Sequence, residues 1–560
     1  MSSLSSKPKL GEKLTKMSRE AEERDAKRRA EKLGYTYIDL KTAPIQVSAV
    51  SILSKEEAHE AKCAILAEKR DKLIVVAYDP SLPNTKKTID QLLKKAKKID
   101  ILIGSMSGIE RVWSFYDLAG KKLGDITGKV EIDNDRLIKL QESISSLEAT
   151  RITIDSALKS QVATGQVLEI VLAAALSLKA SDIHLEPEQE GVKFRLRIDG
   201  LLHEIYSGFP QSEYFLVLSR IKLLASMKLN IHNAAQDGRF SVKMGKKTIE
   251  IRASALPSEY GETVVLRVLD PDTILLSLKD LGLNDEDLKI IEVELQRPNG
   301  MILNTGPTGS GKTTTLYAFL VHVNKPEDKM ITIEDPIEYK LPGVEQTQVN
   351  PEAGYTFASG LRSIVRQDPD VILIGEIRDY ETADIALNAA LTGHLVFSTL
   401  HTNDSFGAIP RLVDLGAKPA IMGPAINLII AQRLVRRLCD KCKKPQTEAT
   451  EKFKPKISTF LQSLPSTVPQ DKYKNIILYQ PVGCSACNGI GYKGRIAIME
   501  ILKVTDLVSQ LISKEVTDVD IKTATKSLGI VTIQQAGILR ALLGITTLDE
   551  VERITGPLNW

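Results

Sequence analysis

One short glycine-rich segment constrains the fold of this chain more than any other feature. Residues 306–313 read Gly-Pro-Thr-Gly-Ser-Gly-Lys-Thr and stand between an apolar run at 301–304 and a helical pattern at 314–324. Glycines let backbone N–H groups wrap a phosphate closely, and the N-terminus of the following helix adds positive potential. The order of strand, glycine-rich loop and helix is the context that a P-loop requires. The segment therefore predicts an α/β fold with a phosphate site at a strand end.

The apolar pattern around this loop predicts a buried parallel sheet. Four continuously apolar runs, each separated from the next by a helical segment, occur at residues 301–304, 330–333, 371–374 and 395–398. Such runs indicate strands buried on both faces, as in parallel sheets covered by helices. Residues 192–198 instead alternate apolar and polar side chains, which predicts an antiparallel sheet with one solvated face.

These patterns predict a multidomain α/β protein, because 560 residues exceed what one hydrophobic core accommodates. We expect a charged arm at 1–32, a small α/β domain at 33–120, a helical linker at 121–164, a second α/β domain at 165–272 and a P-loop domain at 281–560. The P-loop domain includes a cysteine module at 436–495 and C-terminal helices at 500–560. Within the small domain, residues 73–77 and 99–103 are typical of strands, and residues 55–69 of a helix.

Charge and hydropathy exclude several classes of protein. The formal net charge is only +3, from 74 basic and 71 acidic residues, so no overall field indicates nucleic acid or an acidic substrate. The N-terminus lacks the apolar core of a signal peptide, and the longest uncharged apolar stretch, 419–432, is shorter than the ~20 residues of a membrane-spanning helix. Five cysteines in so long a chain do not indicate a disulfide framework. We therefore expect a cytoplasmic protein.

The phosphate loop predicts ATP and Mg²⁺ as ligands. Lys312 can bridge the β- and γ-phosphates, and the Thr313 hydroxyl can ligate Mg²⁺. The predicted nucleotide-binding residues are Gly306, Pro307, Thr308, Gly309, Ser310, Gly311, Lys312, Thr313 and Thr314. The alternative is an accidental glycine-rich turn, and the position between a strand and a helix argues against it.

Carboxylates at two further strand ends are the candidates for hydrolysis. Glu334, Asp335 and Glu338 follow one apolar strand, and Glu376 follows another. The carboxyl ends of parallel strands lie at one edge of a sheet, so both groups are expected near the phosphates. Single strand-end acids are often structural caps, and a phosphate loop alone could bind nucleotide without turnover. Both alternatives remain open at this point.

Two histidines flank the strand at 395–398, His394 before it and His401 after it. A lone histidine is more often a satisfied polar group than a reactive one. His401 lies at the outgoing end of the strand, where parallel strands present their ligands. It is therefore the better candidate for a γ-phosphate sensor.

Four of the five cysteines form two CxxC pairs, Cys439 with Cys442 and Cys484 with Cys487. The 41 residues between the pairs exceed the spacing of compact zinc modules, but two such pairs still supply four thiolates for a tetrahedral site. A closed four-thiolate set predicts structural zinc, with redox-active or plain buried thiols as the alternatives. Cys63 stands alone and is expected to be a core thiol.

Together these motifs resemble the secretion ATPase family that powers type II secretion and type IV pilus assembly. The family's motifs occur here in its order: the phosphate loop, an acidic box at 331–338, the strand 373–379 ending in Gly-Glu-Ile-Arg-Asp, and a His box at 392–403. Upstream segments at 181–187, 197–200 and 237–240 are similar to the domain that precedes the family's motor core. The resemblance implies a RecA-like motor domain preceded by a PAS-like domain and a small adaptor domain.

The resemblance also implies roles for particular residues. Arg239 and Arg252, with Arg195, Arg197 and Arg267 as further candidates, would approach the ATP of a neighbouring subunit in a hexameric ring. Glu338 is the favoured general base, Glu334 is its main rival, and Glu376 would lie on the metal side with Mg²⁺. His401 completes the predicted catalytic set.

The resemblance implies partners and a location as well. Expected partners are an inner-membrane platform protein and the cytoplasmic domain of a membrane-assembly component, with peripheral membrane association through them and no nucleic acid. The cysteine module favours an assembly motor over a retraction motor. The alternatives are a P-loop nucleic-acid translocase, disfavoured because aromatic residues make up only 5% of the chain, and a nucleotide-gated scaffold without turnover.

Overall fold

The fold was analysed in a computed structural model. The described residues are 10–40, 43, 47–50, 52–69, 72–93, 98–114, 116, 129–131, 140, 143–159, 165–244, 247–271, 276–474, 476–514, 517–524 and 528–560. The chain forms two compact units, Met1–Thr127 and Gly128–Trp560. Each unit has its own hydrophobic core.

The first unit is built on a four-stranded sheet with the order β1-β4-β3-β2. The strands are β1 (Thr36–Tyr37), β2 (Cys63–Lys69), β3 (Lys72–Ala77) and β4 (Lys98–Ile103). β2 pairs antiparallel with β3, and the other two pairs are parallel. The described helices are α1 (Leu10–Leu33), α2 (Val47–Val50), α3 (Lys55–Glu60), α4 (Pro83–Leu93) and α5 (Met106–Trp113).

The helix predicted over 55–69 is wrong in its second half. α3 ends at Glu60, and the residues from Cys63 onward form β2, whose side chains from Cys63 to Leu66 are buried in the core. Pairing with β3 overrides the local helical pattern, as tertiary context often does. The charged segment expected as an arm contains α1, whose Ala26 and Ala30 are buried.

The second unit contains a seven-stranded sheet that is antiparallel apart from β5, and we call it the antiparallel sheet. Its order is β5-β9-β10-β11-β6-β7-β8. The strands are β5 (Lys129–Glu131), β6 (Asp182–Glu188), β7 (Gly191–Ile198), β8 (Leu201–Phe209), β9 (Gln236–Met244), β10 (Lys247–Ser258) and β11 (Gly261–Leu269). Helices α6 (Leu147–Lys159), α7 (Gly165–Ser177) and α8 (Gln211–Leu224) accompany it. Residues 121–128, 132–139, 141–142 and 160–164 of the expected linker lie outside the described residues.

The alternation predicted for residues 192–198 is confirmed. Phe194 and Leu196 are buried in the core of the antiparallel sheet, whereas Arg195 and Arg197 between them are partly exposed on the other face. A period of two places successive side chains on opposite faces of a strand. The polar face of this sheet therefore carries a row of arginines.

A second seven-stranded sheet, the parallel sheet, follows with the order β14-β13-β15-β16-β12-β17-β20. Its strands are β12 (Gly300–Thr305), β13 (Met330–Glu334), β14 (Glu345–Gln348), β15 (Val371–Ile374), β16 (Leu395–Leu400), β17 (Ile426–Leu438) and β20 (Tyr492–Lys503). Neighbours pair in parallel except β17 with β20. The accompanying helices are α9 (Asp285–Leu295), α10 (Lys312–Val323), α11 (Phe357–Val365), α12 (Tyr380–Leu391), α13 (Ala408–Asp414) and α14 (Pro419–Ala425).

Both faces of the parallel sheet are buried, as the continuous apolar runs predicted. Met301 and Leu303 of β12 join the hydrophobic core on one side, and Ile302 joins the core on the other. The uncharged stretch at 419–432 divides into α14 and the start of the buried strand β17. Among the described residues, no helix is both long and apolar enough to cross a membrane.

The segment between β17 and β20 forms the cysteine module. It contains β18 (Lys444–Pro445), α15 (Thr447–Ser463) and β19 (Tyr479–Gln480), and β18 pairs antiparallel with β19. After β20 the chain continues through α16 (Asp506–Ser513), α17 (Asp518–Ala524), α18 (Ile533–Leu542) and α19 (Leu548–Thr555).

Candidate active site

The glycine-rich loop connects the buried strand β12 to α10. Gly306, Gly309 and Gly311 all have positive φ values, of 149°, 79° and 89°. A Cβ atom at Gly306 would lie 2.6 Å from the Gln432 carbonyl oxygen, and one at Gly311 would lie 2.9 Å from Gln432 Nε2. Only glycine combines these backbone angles with this close approach. The loop therefore has the shape of a phosphate cradle at the start of a helix.

The side chains of the loop have distinct environments. Lys312 Nζ donates to the carbonyl oxygens of Gly306 (2.8 Å) and Pro307 (3.1 Å). Burial lowers the pKa of Lys312, and the nearby charge of Glu376 opposes that shift. Thr313 is exposed at the first turn of α10, where its hydroxyl is accessible to a ligand.

The ends of several parallel strands enclose one cavity of about 420 Å³ beside this loop. Lys312, Glu334, Glu338, Glu376 and His401 all line it. Strand carboxyl ends form a single edge in a parallel sheet, which is why residues separated by up to about ninety positions meet here. Thr308, Gly309, Gly311, Thr313, Thr314 and Asp335 also line the cavity.

Glu334 lies at the wall of the cavity, but its side chain is almost entirely buried. Its side chain is only 3% exposed. Its Oε2 accepts a short hydrogen bond from the Tyr317 hydroxyl, and its Oε1 accepts from Thr332 Oγ1 (2.6 Å) and Gln346 Nε2 (3.2 Å). Tyr317 belongs to α10, so this carboxylate joins β13 to the helix that begins at the phosphate loop.

Glu338 has a different environment from Glu334. Its side chain is 27% exposed, and its Oε2 lies 2.9 Å from Arg252 Nη1. Arg252 Nη2 also donates to the carbonyl oxygen of Ile337 (2.9 Å). Burial raises the pKa of Glu338, while the charges of Arg252 and Arg267 act in the opposite direction. Arg252 of the antiparallel sheet thus contacts the acidic box of its own chain.

Glu376 and His401 lie at the ends of neighbouring strands. Glu376 Oε2 is 2.6 Å from Arg378 Nε and 3.7 Å from His401 Nε2. Burial lowers the pKa of His401, and the charge of Lys312 lowers it further. His394 lies at the opposite end of β16, where its Nδ1 donates to the Ala389 carbonyl oxygen (2.9 Å). Only His401 of this pair therefore lines the cavity.

The predicted arginines separate into two groups. Arg239 is 75% exposed and stands opposite Arg252 in the β9–β10 pair. Both residues line a second cavity of about 510 Å³ together with Arg267. Arg195 instead pairs with Glu186 (2.6 Å), and Arg197 pairs with Asp182 (3.2 Å). Within the chain, therefore, Arg252 contacts the acidic box, and Arg239 and Arg267 line a cavity that Pro336 of that box also lines. Arg267 additionally pairs with Asp182 (3.3 Å), the partner of Arg197.

Sequence reasoning missed the side chains that support the site. Gln432 is buried beneath the loop, and its Oε1 accepts from Asn304 Nδ2 (2.8 Å) and Thr315 Oγ1 (2.9 Å). A polar residue at the end of a long apolar stretch was an available signal for Gln432. Tyr317 and Gln346 had no such signal, because their role depends on contact with Glu334.

The four paired cysteines form one compact cluster. Their Sγ atoms all lie within 4.8 Å of one another. The backbone N–H groups of Cys484 and Gly491 each donate to Cys487 Sγ at 3.2 Å. Although burial opposes ionisation, these hydrogen bonds lower the pKa of Cys487. A set of four close sulfur donors could hold a metal ion. Cys63 is buried apart from this cluster, and burial raises the pKa of its thiol.

Comparisons with known proteins identify the family of this chain. Residues 158–553 match the family described as Type II/IV secretion system protein. The chain is 36% identical to the type IV pilus assembly ATPase PilB of Myxococcus xanthus, covering 94% of this chain and 89% of that protein. It is 44% identical to the type II secretion system protein E of Dickeya dadantii, covering 70% of this chain and 75% of that protein.

Solved structures support the fold. The DotB ATPase of Yersinia pseudotuberculosis superposes with a TM-score of 0.51 at 21% identity, covering 70% of this chain and 93% of that chain. The Legionella pneumophila ATPase DotB gives a TM-score of 0.50 at 22% identity, covering 69% of this chain and 94% of that chain. From its sequence matches and its site, this chain belongs to the type II/IV secretion system protein family and is an ATPase.

Proposed function

We propose that this chain hydrolyses Mg-bound ATP in a hexameric ring and so drives assembly of a type IV pilus or a type II secretion pseudopilus. The observation that carries the proposal is the cavity where the phosphate loop, the acidic box, Glu376 and His401 meet. Its curated relatives are named for these two systems. The chemistry of phosphate cleavage is independent of the assembled substrate, so the same ATP site would serve either the type IV pilus system or the type II secretion system.

The phosphate loop and its neighbours would bind the nucleotide. The backbone of residues 306–314 surrounds the phosphates, and Lys312 leaves its carbonyl partners to contact the β- and γ-phosphates. Thr313 and Glu376 are the residues that would hold Mg²⁺, which neutralises charge on the phosphates when bound. His401, beside Glu376, would contact the γ-phosphate.

Glu338 is the better candidate for the general base. A base must accept a proton from water, and Glu334 has both oxygens engaged in a nearly closed environment. Glu338 is more exposed and lines the same cavity. Removal of the water proton by Glu338 would allow the water oxygen to attack the γ-phosphorus, with ADP as the leaving group. Glu334 would instead position α10.

Arg252 would have to leave Glu338 before that carboxylate could act as a base. An ion pair stabilises the charged carboxylate over its protonated form, so it lowers the affinity of that carboxylate for the proton that a base must accept. The released guanidinium, with Arg239 and the partly exposed Arg267, could then stabilise charge on the phosphates of a neighbouring subunit. The proposed movement of Arg252 from Glu338 to the phosphates of a neighbouring subunit supports an active site that two subunits complete together.

The four-cysteine cluster would hold structural zinc. All four positions of a tetrahedral site are supplied by protein sulfur, so no position remains for a substrate or an activated water. The backbone N–H groups of Cys484 and Gly491 donate hydrogen bonds to Cys487 Sγ, and these bonds favour the thiolate, which is the form that binds metal.

The partners follow from the family. The ring would work in the cytoplasm at the inner membrane, against a platform protein and the cytoplasmic domain of a membrane-assembly component. The first compact unit is available as the adaptor, because the described residues that line the nucleotide cavity belong to the second unit. Crosslinking followed by purification from membranes would identify the platform protein and hence the system.

Phosphate release by the purified ring tests the proposed chemistry. We expect Lys312→Ala to lower turnover by about 10²-fold or more, because Lys312 compensates phosphate charge. Lys325→Ala is the matched control, since Lys325 is exposed after the same helix. Unchanged turnover in Lys312→Ala would exclude hydrolysis at this loop, and stimulation by single-stranded DNA would indicate a translocase.

A further inference from the structure

The cysteine module contacts the antiparallel sheet through the loop at residues 488–491 and the first residues of β20. At the start of β20, Gly494 N donates to Asp199 Oδ2 at 2.8 Å. Ile490 is partly buried and packs against the hydrophobic core of the antiparallel sheet. One polar and one apolar contact thus join two parts of the chain that are nearly three hundred residues apart.

The loop is held by the same atoms that form the cysteine cluster. Gly491 N donates to Cys487 Sγ, and the Gly491 carbonyl oxygen accepts from Cys439 N at 3.0 Å. Ile490 N donates to the Cys487 carbonyl oxygen, also at 3.0 Å. Glycine is required at 491, where φ is 81° and a Cβ atom would lie 2.5 Å from Pro481 Cβ. The position of Ile490 therefore depends on the position of the cluster.

Metal binding would determine whether that cluster stays closed. Cys439 Sγ lies 3.9 Å from Cys484 Sγ, and Cys442 Sγ lies 3.8 Å from Cys487 Sγ, so the two CxxC pairs meet in the cluster. A structural zinc ion bound by all four sulfur atoms would hold the two pairs together and contribute to folding free energy. Loss of the ion would let the two CxxC segments separate and would release the loop at residues 488–491.

Asp199 is presented by a rigid turn. Ile198 pairs with Leu201, so Asp199 and Gly200 form a two-residue hairpin loop between β7 and β8. Both have positive φ values, 49° and 88°, as a type I′ turn requires. A tight hairpin of this kind fixes the carboxylate relative to the whole strand pair.

The antiparallel sheet touches the parallel-sheet part of the chain at a second place. Arg252, in β10, pairs with Glu338 of the acidic box. β10 and the β7–β8 hairpin are separated in the sheet order by β11 and β6. A stiff sheet held at one point can rotate about that point, whereas two separated contacts fix its orientation.

We infer that the cysteine module is an intramolecular anchor, in which the metal-bound loop at 488–491 and the start of β20 hold the β7–β8 hairpin and thereby position the arginines of the antiparallel sheet at the acidic box. Asp199 and Ile490 are positioning residues in this arrangement, because they act on the site through the sheet. The inference rests on the proposed zinc ion and the proposed ATP site. It assigns the zinc ion a role in motor geometry beyond local folding.

Hydrogen exchange of the full chain without nucleotide tests the anchor. Asp199→Gly removes the carboxylate and accepts the positive φ, whereas Asp199→Asn keeps an acceptor and tolerates the same turn. We expect Asp199→Gly to keep its zinc and to raise exchange in residues 247–258 by about threefold or more. Asp199→Asn should behave as the unchanged protein. Glu190→Gly is the matched control, since Glu190 lies in the two-residue turn between β6 and β7 of the same sheet.

Two further variants keep the test decisive. Ile490→Ser removes the apolar contact and leaves all four thiols, so it should repeat the effect of Asp199→Gly. Cys442→Ser should lose zinc and raise exchange at residues 196–203 as well as in the module itself. The anchor is overturned if hydrogen exchange at residues 247–258 stays unchanged in both Asp199→Gly and Ile490→Ser. It is also overturned if Cys442→Ser loses zinc but exchange rises in the cysteine module alone.

Turnover separates this inference from the proposed function. The phosphate loop lies outside the altered contacts, and the anchor would control how readily Arg252 leaves Glu338. Asp199→Gly should therefore change kcat by about threefold or more and leave the KM for ATP close to its original value. Failure of the proposed function would appear instead as turnover that Lys312→Ala does not change. A proportional change of kcat in the Glu190→Gly control would count against a specific role for Asp199.

Discussion

Removal of one hydroxyl group tests the assignment of Glu334 as a positioning residue. In Tyr317→Phe, Glu334 Oε2 loses the hydrogen bond that now joins β13 to α10, while the ring of residue 317 keeps its place in the core. The carboxylate is 3% exposed, so water cannot replace the lost donor. The perturbation therefore removes one hydrogen bond to a buried charge and little else.

The expected magnitude follows from that geometry. A hydrogen bond to a charged group contributes about 1.5–3 kcal/mol, and the two remaining donors to Oε1 place the loss toward the lower end, about 2 kcal/mol. Unfolding entropy is about 2.1 cal/mol/K per residue, so for the roughly 430 residues of the second unit this loss lowers Tm by about 2 °C. Turnover should fall as well, because α10 carries the phosphate loop.

Thermal unfolding and ATP turnover provide the measurements. Tyr380→Phe is the matched control, since Tyr380 is 49% exposed. A double-mutant cycle with Glu334→Gln should give a coupling free energy of about 1–2 kcal/mol between positions 317 and 334. A Tyr317→Phe variant with the Tm and turnover of the original protein, or a cycle without coupling, would refute the role assigned to Glu334.

The remaining predictions concern pH, the loop and zinc. Burial raises the pKa of Glu338, and the charge of Arg252 opposes that rise. Arg252→Gln should therefore shift the acid limb of the pH profile of kcat/KM to higher pH. An acid limb that does not shift, or that shifts to lower pH, contradicts Glu338 as the general base. Gly306→Ala should weaken binding of a fluorescent ATP analogue by about tenfold or more, because a Cβ atom there would meet the Gln432 carbonyl oxygen. Gly393→Ala should not weaken binding, because Gly393 also has a positive φ value but a Cβ atom there would contact nothing. Equal losses of affinity in the two variants would exclude the steric argument. Replacement of any one clustered cysteine by serine should lower the zinc content below one per chain, and Cys63→Ser should leave it unchanged; zinc retained in all four variants contradicts the site.

The local sequence was sufficient to predict the elements that depend on interactions between residues close together in the chain. The apolar run and the glycines from 301 to 311 identified β12 and the loop, because φ preference and side-chain volume act within a few residues. The alternation in β7 likewise predicted one solvated face. The strand β2 was missed because its residues favour a helix locally, and only pairing with β3 makes them a strand.

The roles of chemically identical residues could not be read from the sequence. Glu334 and Glu338 lie four positions apart, and each ends near the phosphate loop. Their environments differ because Tyr317 and Gln346 contact one, and Arg252, from a different sheet, contacts the other. Such contacts depend on how distant segments pack.

The sequence by itself determined the class of chemistry and the positions of the central parallel strands. Glycines, apolar runs and paired cysteines impose their structure over short distances, where backbone sterics and periodicity decide. Tertiary structure alone decided which carboxylate is closed inside the protein, which arginine approaches the acidic box, and how Asp199 meets the cysteine module. These features arise from burial and charge pairing between segments far apart in the chain, and no local pattern encodes such contacts.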